Sequence, residues 1–170
     1  ATEESKYKLL SGERWKLGDI YHSELKVIGP PSAKSSNANV NSEAYYRYNN
    51  AYQGRFRYGN SCGGNCAQRK NIVYVGANDG LLHAFDAKNG EELWAFLPPM
   101  LLSKMRTAIS SKSGQSVSIY GVDGSPIVKD IYYNYKWRTV LMSGLGMGGR
   151  GYFALDVTNP NNPSFLFAFS

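Results

Sequence analysis

The sequence predicts an all-β chain of two four-stranded antiparallel units, and three observations carry that expectation: a strand pattern that recurs, hairpin turns at regular intervals, and a composition suited to pleated surfaces. Its 170 residues include 18 glycines and 13 tyrosines, and only 19% are charged. Glycine supplies tight turns and aromatic side chains fill half-buried strands, so this balance fits turn-rich β structure better than a helical bundle.

Taken in order, residues 1–17 show no strong period and read as a lead-in. Gly18-Asp19-Ile20 then introduces a first strand, Leu25 to Gly29. An insertion follows from residue 30 to residue 70, polar from Ser32 to Ser42 and then rich in tyrosine. Three strands come next, Ile72 to Gly76, Leu81 to Asp86 and Glu92 to Phe96. Asn78-Asp79-Gly80 and Asn89-Gly90 separate them, steps that favour the positive φ values of tight hairpins. Pro98-Pro99 precedes the only plausible short helix, Met100 to Met105, and Ser110 to Ser116 is a polar loop.

The same order then returns. Pro126 to Ile131, Thr139 to Gly144, Gly151 to Asp156 and Phe165 to Phe169 give four more strands, and Ala84-Phe85-Asp86 reappears as Ala154-Leu155-Asp156. Four-stranded sheets repeated in series are the blades of a β-propeller. The expected division is a first blade over 18–99 carrying the insertion 30–70, a connecting loop over 100–121, and a second blade over 122–170. Rings of this kind need roughly four to eight blades, so the chain reads as part of a larger propeller.

The formal charge is +6 and the isoelectric point is near 9.3, which permits contact with acidic surfaces. Lys6, Lys8, Arg14, Lys16, Arg55, Arg57, Arg69 and Lys70 are scattered without a long run, so they read as solvated charge and no nucleic-acid partner is expected. There is no starting Met, no signal-like segment and no transmembrane stretch.

Ala84-x-Asp86-x-x-x-Gly90-x-x-x-Trp94 resembles the tryptophan-docking repeat of quinoprotein propellers. Asp86 can cap the turn after its strand, Gly90 permits the turn, and Trp94 can lie flat against the neighbouring blade. The second unit keeps Ala154 and Asp156, but has Asn159-Pro160-Asn161-Asn162-Pro163 in place of the glycine turn and Phe165 near the tryptophan place.

Cys62 and Cys66 lie in a short Gly-rich loop that can close into a disulfide ring, which would imply an oxidising compartment. Free thiols and a metal half-site are the competing readings. The latter needs two more ligands, and His22 and His83 fall in apparent strands elsewhere. His83 reads as a packed strand histidine. Gly144-x-Gly146-x-x-Gly149 matches a dinucleotide fingerprint by letters, but a strand rather than a helix is expected after it, which removes the helix N-terminus that would meet a pyrophosphate. Asn78-Asp79-Gly80 lacks the alternating acidic ligands of a calcium loop and reads as turn chemistry. No Ser or Cys is placed with His and Asp for nucleophilic catalysis, so the chain is read as non-enzymatic. Tyr45, Tyr46, Arg47, Tyr48 and Tyr52, with Arg55 and Arg57, form an aromatic and basic mix suited to sugar or protein ligands, or simply to packing the insertion on the propeller.

Leu17-Gly18-Asp19-Ile20-Tyr21-His22-Ser23, Val73-Tyr74-Val75-Gly76-Ala77-Asn78-Asp79-Gly80-Leu81-Leu82-His83-Ala84-Phe85, Val122-Asp123-Gly124-Ser125-Pro126, Trp137 to Leu141 and Ala154-Leu155-Asp156-Val157-Thr158 together look like the PilC/PilY family of type IV pilus tip-associated adhesins. The resemblance implies the C-terminal propeller of a large extracellular protein, at the pilus tip or outer-membrane surface, that supports pilus assembly, twitching motility and attachment. The implied partners are minor pilins, the remaining blades of the same propeller, and a surface or host-cell ligand. Family members carry a propeller calcium loop of alternating Asp and Asn. No such loop stands in this sequence, so no cofactor is expected here, and any calcium belongs elsewhere in the parent protein. The rival readings are a fragment of a PQQ-dependent dehydrogenase, which shares the docking repeat, and a periplasmic outer-membrane assembly scaffold.

Overall fold

The computed structural model describes residues 17–30, 62, 66–105, 120–134 and 136–170. Nearly all of the lead-in, the tyrosine-rich stretch with Tyr45, Tyr46, Arg47, Tyr48 and Tyr52, and the loop from Ser110 to Ser116 lie outside the described residues.

Two four-stranded sheets form, each a simple antiparallel meander. The first runs β1 (Lys26–Ile28), β2 (Ile72–Gly76), β3 (Leu82–Asp86) and β4 (Glu92–Phe96). The second runs β5 (Ile127–Tyr133), β6 (Lys136–Gly144), β7 (Tyr152–Asp156) and β8 (Ser164–Phe169). Turn chemistry sets these boundaries. After β3 and again after β7 an aspartate closes the turn, with Lys88 N–H donating to Asp86 Oδ1 and Thr158 N–H to Asp156 Oδ1, each at 3.0 Å. Gly90 then takes φ 74° and donates its N–H to the Asp86 carbonyl at 2.8 Å, a conformation that a side chain would strain.

The β5–β6 ladder is longer than the sequence suggests. Asn134 adopts φ 52°, a left-handed value that asparagine tolerates, and the strands pair out to Tyr133 and Lys136. The expected helix over Met100 to Met105 starts as a 3-10 turn, Pro99–Leu101, and residues 102–105 are α-helical. Gly146–Gly148 is likewise a 3-10 turn, and β7 follows it, so no helix N-terminus faces that glycine loop.

The core lies between the sheets. Ile72, Tyr74, Leu82 and Ala84 of the first sheet join Leu141, Phe153 and Leu155 of the second in one buried cluster, with Trp94 and Phe96 packed against it. Phe96 meets Phe153 and Phe165 at centroid separations of 5.3 and 6.0 Å. Burying each such side chain contributes about 1.5–3 kcal/mol, so the seam is where the two repeats become one body.

Register also shows what the seam leaves open. Tyr74, Ala84 and Trp94 are cross-strand partners on the face of the first sheet that packs on the second. The matching partners in the second sheet are Met142, Ala154 and Phe167, with Ile127 beside Met142 and the Tyr152–Phe169 pair one step along. Ile127, Met142, Tyr152, Phe167 and Phe169 are all exposed. Phe167, not Phe165, therefore stands at the tryptophan position. Both sheets carry the same one-residue shift after their alanine, but the β7–β8 turn is longer than the β3–β4 turn, so Phe165 falls opposite Leu155 and stacks against Phe96.

Candidate functional site

Each docking residue can be placed. Ala84 is buried at the centre of β3, Asp86 ends that strand and also binds Lys70 Nζ at 2.9 Å, and Gly90 forms the turn. Trp94, on β4, sits 5.8 Å from the Tyr74 ring and donates its indole N–H to the Pro160 carbonyl at 2.7 Å. Pro160 lies in the β7–β8 turn of the other sheet. One side chain thus combines apolar contact with a directed bond across the seam.

A second tie lies at the start of β2. Cys62 and Cys66 are joined in a disulfide, both residues buried, with Cα atoms 5.2 Å apart. A 3-10 turn, Cys66–Gln68, continues from it and delivers Arg69. Arg69 was expected among the solvated charges, but it is only 6% exposed. Its Nε and Nη2 donate to the Gly29 carbonyl at 3.0 and 2.5 Å, and its Nη1 donates to Thr139 Oγ1 at 2.6 Å. Thr139 in turn donates to Asp130 at 2.7 Å. Burial pushes the guanidinium pKa down, opposed by the Asp130 carboxylate and by Tyr74, so this cation is held by geometry rather than by water. Its five fixed donors explain how it reaches both sheets at once.

At the end where β1 begins, a strap over 17–25 crosses from one sheet to the other. Gly18 N–H donates to Asp79 Oδ2 at 2.9 Å, the Asp19 carbonyl accepts from Asn78 N–H at 2.9 Å, and Ser23 Oγ accepts from Gly76 N–H at 2.9 Å. Those partners belong to the first sheet. His22 N–H donates to Asp123 Oδ1 at 3.2 Å and Glu24 N–H to Ser125 Oγ at 3.0 Å, both in the segment that leads into β5. That segment wedges between backbones: a Cβ on Gly148 would stand 1.8 Å from the Gly121 carbonyl oxygen, so only glycine fits.

Two carboxylate–histidine contacts flank the strap. His22 lies in the strap and not in a strand as its sequence suggests, because Ser23 turns back to cap Gly76 before β1 begins. Its Nδ1 lies 2.7 Å from Oδ2 of the buried Asp123. His83, its side chain 3% exposed, has Nε2 2.9 Å from Asp79 Oδ2 and Nδ1 2.6 Å from Glu92 Oε1. Burial opposes charge on this ring, but the two carboxylates outweigh it and raise its pKa. Asp79 is held below the usual carboxylate range: burial works against that, and hydrogen bonds from His83, Gly18 and Leu81 prevail.

These groups bind one another rather than present reacting atoms. Among the described residues no three His, Cys, Asp or Glu side chains converge as metal ligands, and no helix there is long and apolar enough to cross a membrane. The arrangement is chemically a set of seam fasteners beside an open apolar sheet face.

The sequence profile of the PilY1 beta-propeller domain family matches residues 32–169. The type IV pilus biogenesis factor PilY1 of Pseudomonas aeruginosa is 39% identical over 156 residues, which is 90% of this chain and 12% of that protein. The crystal structure of the Pseudomonas aeruginosa PilY1 C-terminal domain superposes with a TM-score of 0.51 at 34% identity, covering 85% of this chain and 25% of that one. A 1-butanol dehydrogenase (quinone) of Thauera butanivorans is 36% identical over 69 residues, 35% of this chain and 11% of that protein. The chain thus spans a small part of each protein it resembles.

Proposed function

Because this chain belongs to the PilY1 β-propeller domain family, we propose that it works as a non-catalytic pair of blades within a type IV pilus biogenesis factor, displayed at the cell surface or pilus tip. The observation that carries this reading is the unequal pair of sheet faces. The first sheet's Tyr74–Ala84–Trp94 face is closed by the second sheet, while on the second sheet the matching Met142 and Phe167 stand exposed on either side of the buried Ala154. A face built like one that already receives a blade is suited to receive another. The remaining blades of the same propeller are its proposed cover.

Assembly of pili then follows from the parent protein's integrity, and twitching and attachment from the pili it supports. The tyrosine and arginine residues 45–58 are the proposed contact for a surface or host-cell ligand, by stacking and cation–π attraction. Minor pilins are the proposed neighbours at the tip, and calcium is assigned to other parts of the parent. The deciding experiment replaces Trp94 with Ala in the chromosomal copy and counts surface pili by electron microscopy. Loss of pili with the parent protein still exported supports the reading, and full piliation with a destabilised propeller contradicts it.

The likeness to a quinone-dependent alcohol dehydrogenase keeps a redox propeller as the second reading. Quinone-dependent dye reduction by the purified parent protein, with an alcohol as donor, would favour it over the first.

A further inference from the structure

We propose that the strap over 17–25 is a proton-operated latch, closed while His83 carries its second ring proton and released on the alkaline side. The geometry of His83 demands the charged form. Both ring nitrogens lie within hydrogen-bond distance of carboxylate oxygens, Asp79 at 2.9 Å and Glu92 at 2.6 Å, and a carboxylate can only accept. A neutral imidazole has one N–H, so loss of a proton sets a nitrogen lone pair against a carboxylate in a nearly dry site. The titratable groups facing the ring are Asp79 from the β2–β3 turn and Glu92 from β4, and Phe85 of β3 stacks beside it at 5.8 Å.

What makes this a latch is the second duty of Asp79. The oxygen that faces His83, Oδ2, also accepts the Gly18 N–H of the strap, and Oδ1 holds Leu81 N–H. The strap's far end also rests on an aspartate, since Asp123 accepts the N–H of His22 and its other oxygen lies 2.7 Å from the His22 ring. Both histidines of the chain therefore grip an aspartate that grips the strap. The shorter contact, Nδ1 to Glu92 at 2.6 Å, keeps the remaining proton, so the one lost to solvent leaves Nε2, repulsion from that bare nitrogen drives Asp79 away, and Gly18 loses its acceptor.

The sign follows from the direction of the shift. The histidine pKa is raised by the fold, so the latch is fully closed below the ordinary value of about 6.5 and loosens as pH climbs through the raised one. The test is hydrogen exchange read by mass spectrometry on the whole parent protein, corrected for the intrinsic pH dependence of exchange. Strap peptides should lose protection in a step on the alkaline side of neutrality while peptides from β6 do not. Glu92→Gln keeps the packing but removes one carboxylate, and should move that step to lower pH. His83→Gln, which has no ring nitrogen to titrate, should abolish the step. If the wild-type strap shows no step, or if Glu92→Gln leaves the step where it was, the latch is refuted, and a folded β6 in each variant separates that outcome from global unfolding.

Discussion

Replacing Trp94 probes the seam more sharply than any other single change. The indole contributes a 2.7 Å hydrogen bond to the Pro160 carbonyl and ring contact with Tyr74. Trp94→Phe removes the bond, keeps most of the apolar surface, and leaves the carbonyl of the buried Pro160 without this donor, which costs about 1–2 kcal/mol. Trp94→Ala also opens a void. A fully buried tryptophan truncated in this way costs about 3–5 kcal/mol, and the half-buried position scales this to about 2–3. Opening free energies of the amides in the β7–β8 turn, measured by native-state hydrogen exchange, should fall by these two amounts in order. If Trp94→Phe leaves that turn as protected as in the wild type, the indole bond holds nothing and the docking argument fails.

Other changes test the remaining fasteners. Arg69→Met should cost about 3 kcal/mol, because the Gly29 carbonyl and the Thr139 hydroxyl lose a charged donor, and a chemical melt followed by circular dichroism would show it. Reducing the Cys62–Cys66 bridge should cost about 2 kcal/mol, the chain-entropy value for so short a loop, read as a lower melting temperature with reductant. Gly148→Ala should disrupt the packing of the 120–126 segment, since the added methyl meets the Gly121 carbonyl at 1.8 Å. Asp79→Asn should lower stability at neutral pH but not in strong acid, because the native carboxylate is held below its ordinary pKa, so its contribution is complete above the ordinary value and disappears as pH falls through the lowered one.

The sheets were legible because their signals are local. Alternating side chains and Asp-Gly or Asn-Gly turns announce strands from within a few residues, and the Ala-x-Asp repeat announces that one unit follows another. The fasteners were not legible in this way. Arg69 looks like any basic residue until Gly29 and Thr139, 40 and 70 positions away, close around it. His22 and Asp123 are separated by 101 positions, and nothing in either neighbourhood points to the other. His83 could have been read further, since Asp79 stands four residues before it across a hairpin turn and Glu92 lies on the next strand. Phe167 rather than Phe165 stands opposite Ala154 because the Asn-Pro turn adds residues between β7 and β8 that the glycine turn of the first sheet lacks, while the register shift is common to both sheets.

The most direct measurement is oxidative footprinting of the intact parent protein, comparing Met142 with Met147. Met142 belongs to the open face of the second sheet, and Met147 stands in an exposed loop at the sheet's end, 64% accessible. If another blade covers that face, Met142 resists oxidation in the parent protein and reacts only after unfolding, while Met147 reacts early. Oxidation of Met142 in the folded parent at a rate comparable to Met147 would mean that no blade lies there, and would contradict the assignment of these two sheets to a larger propeller.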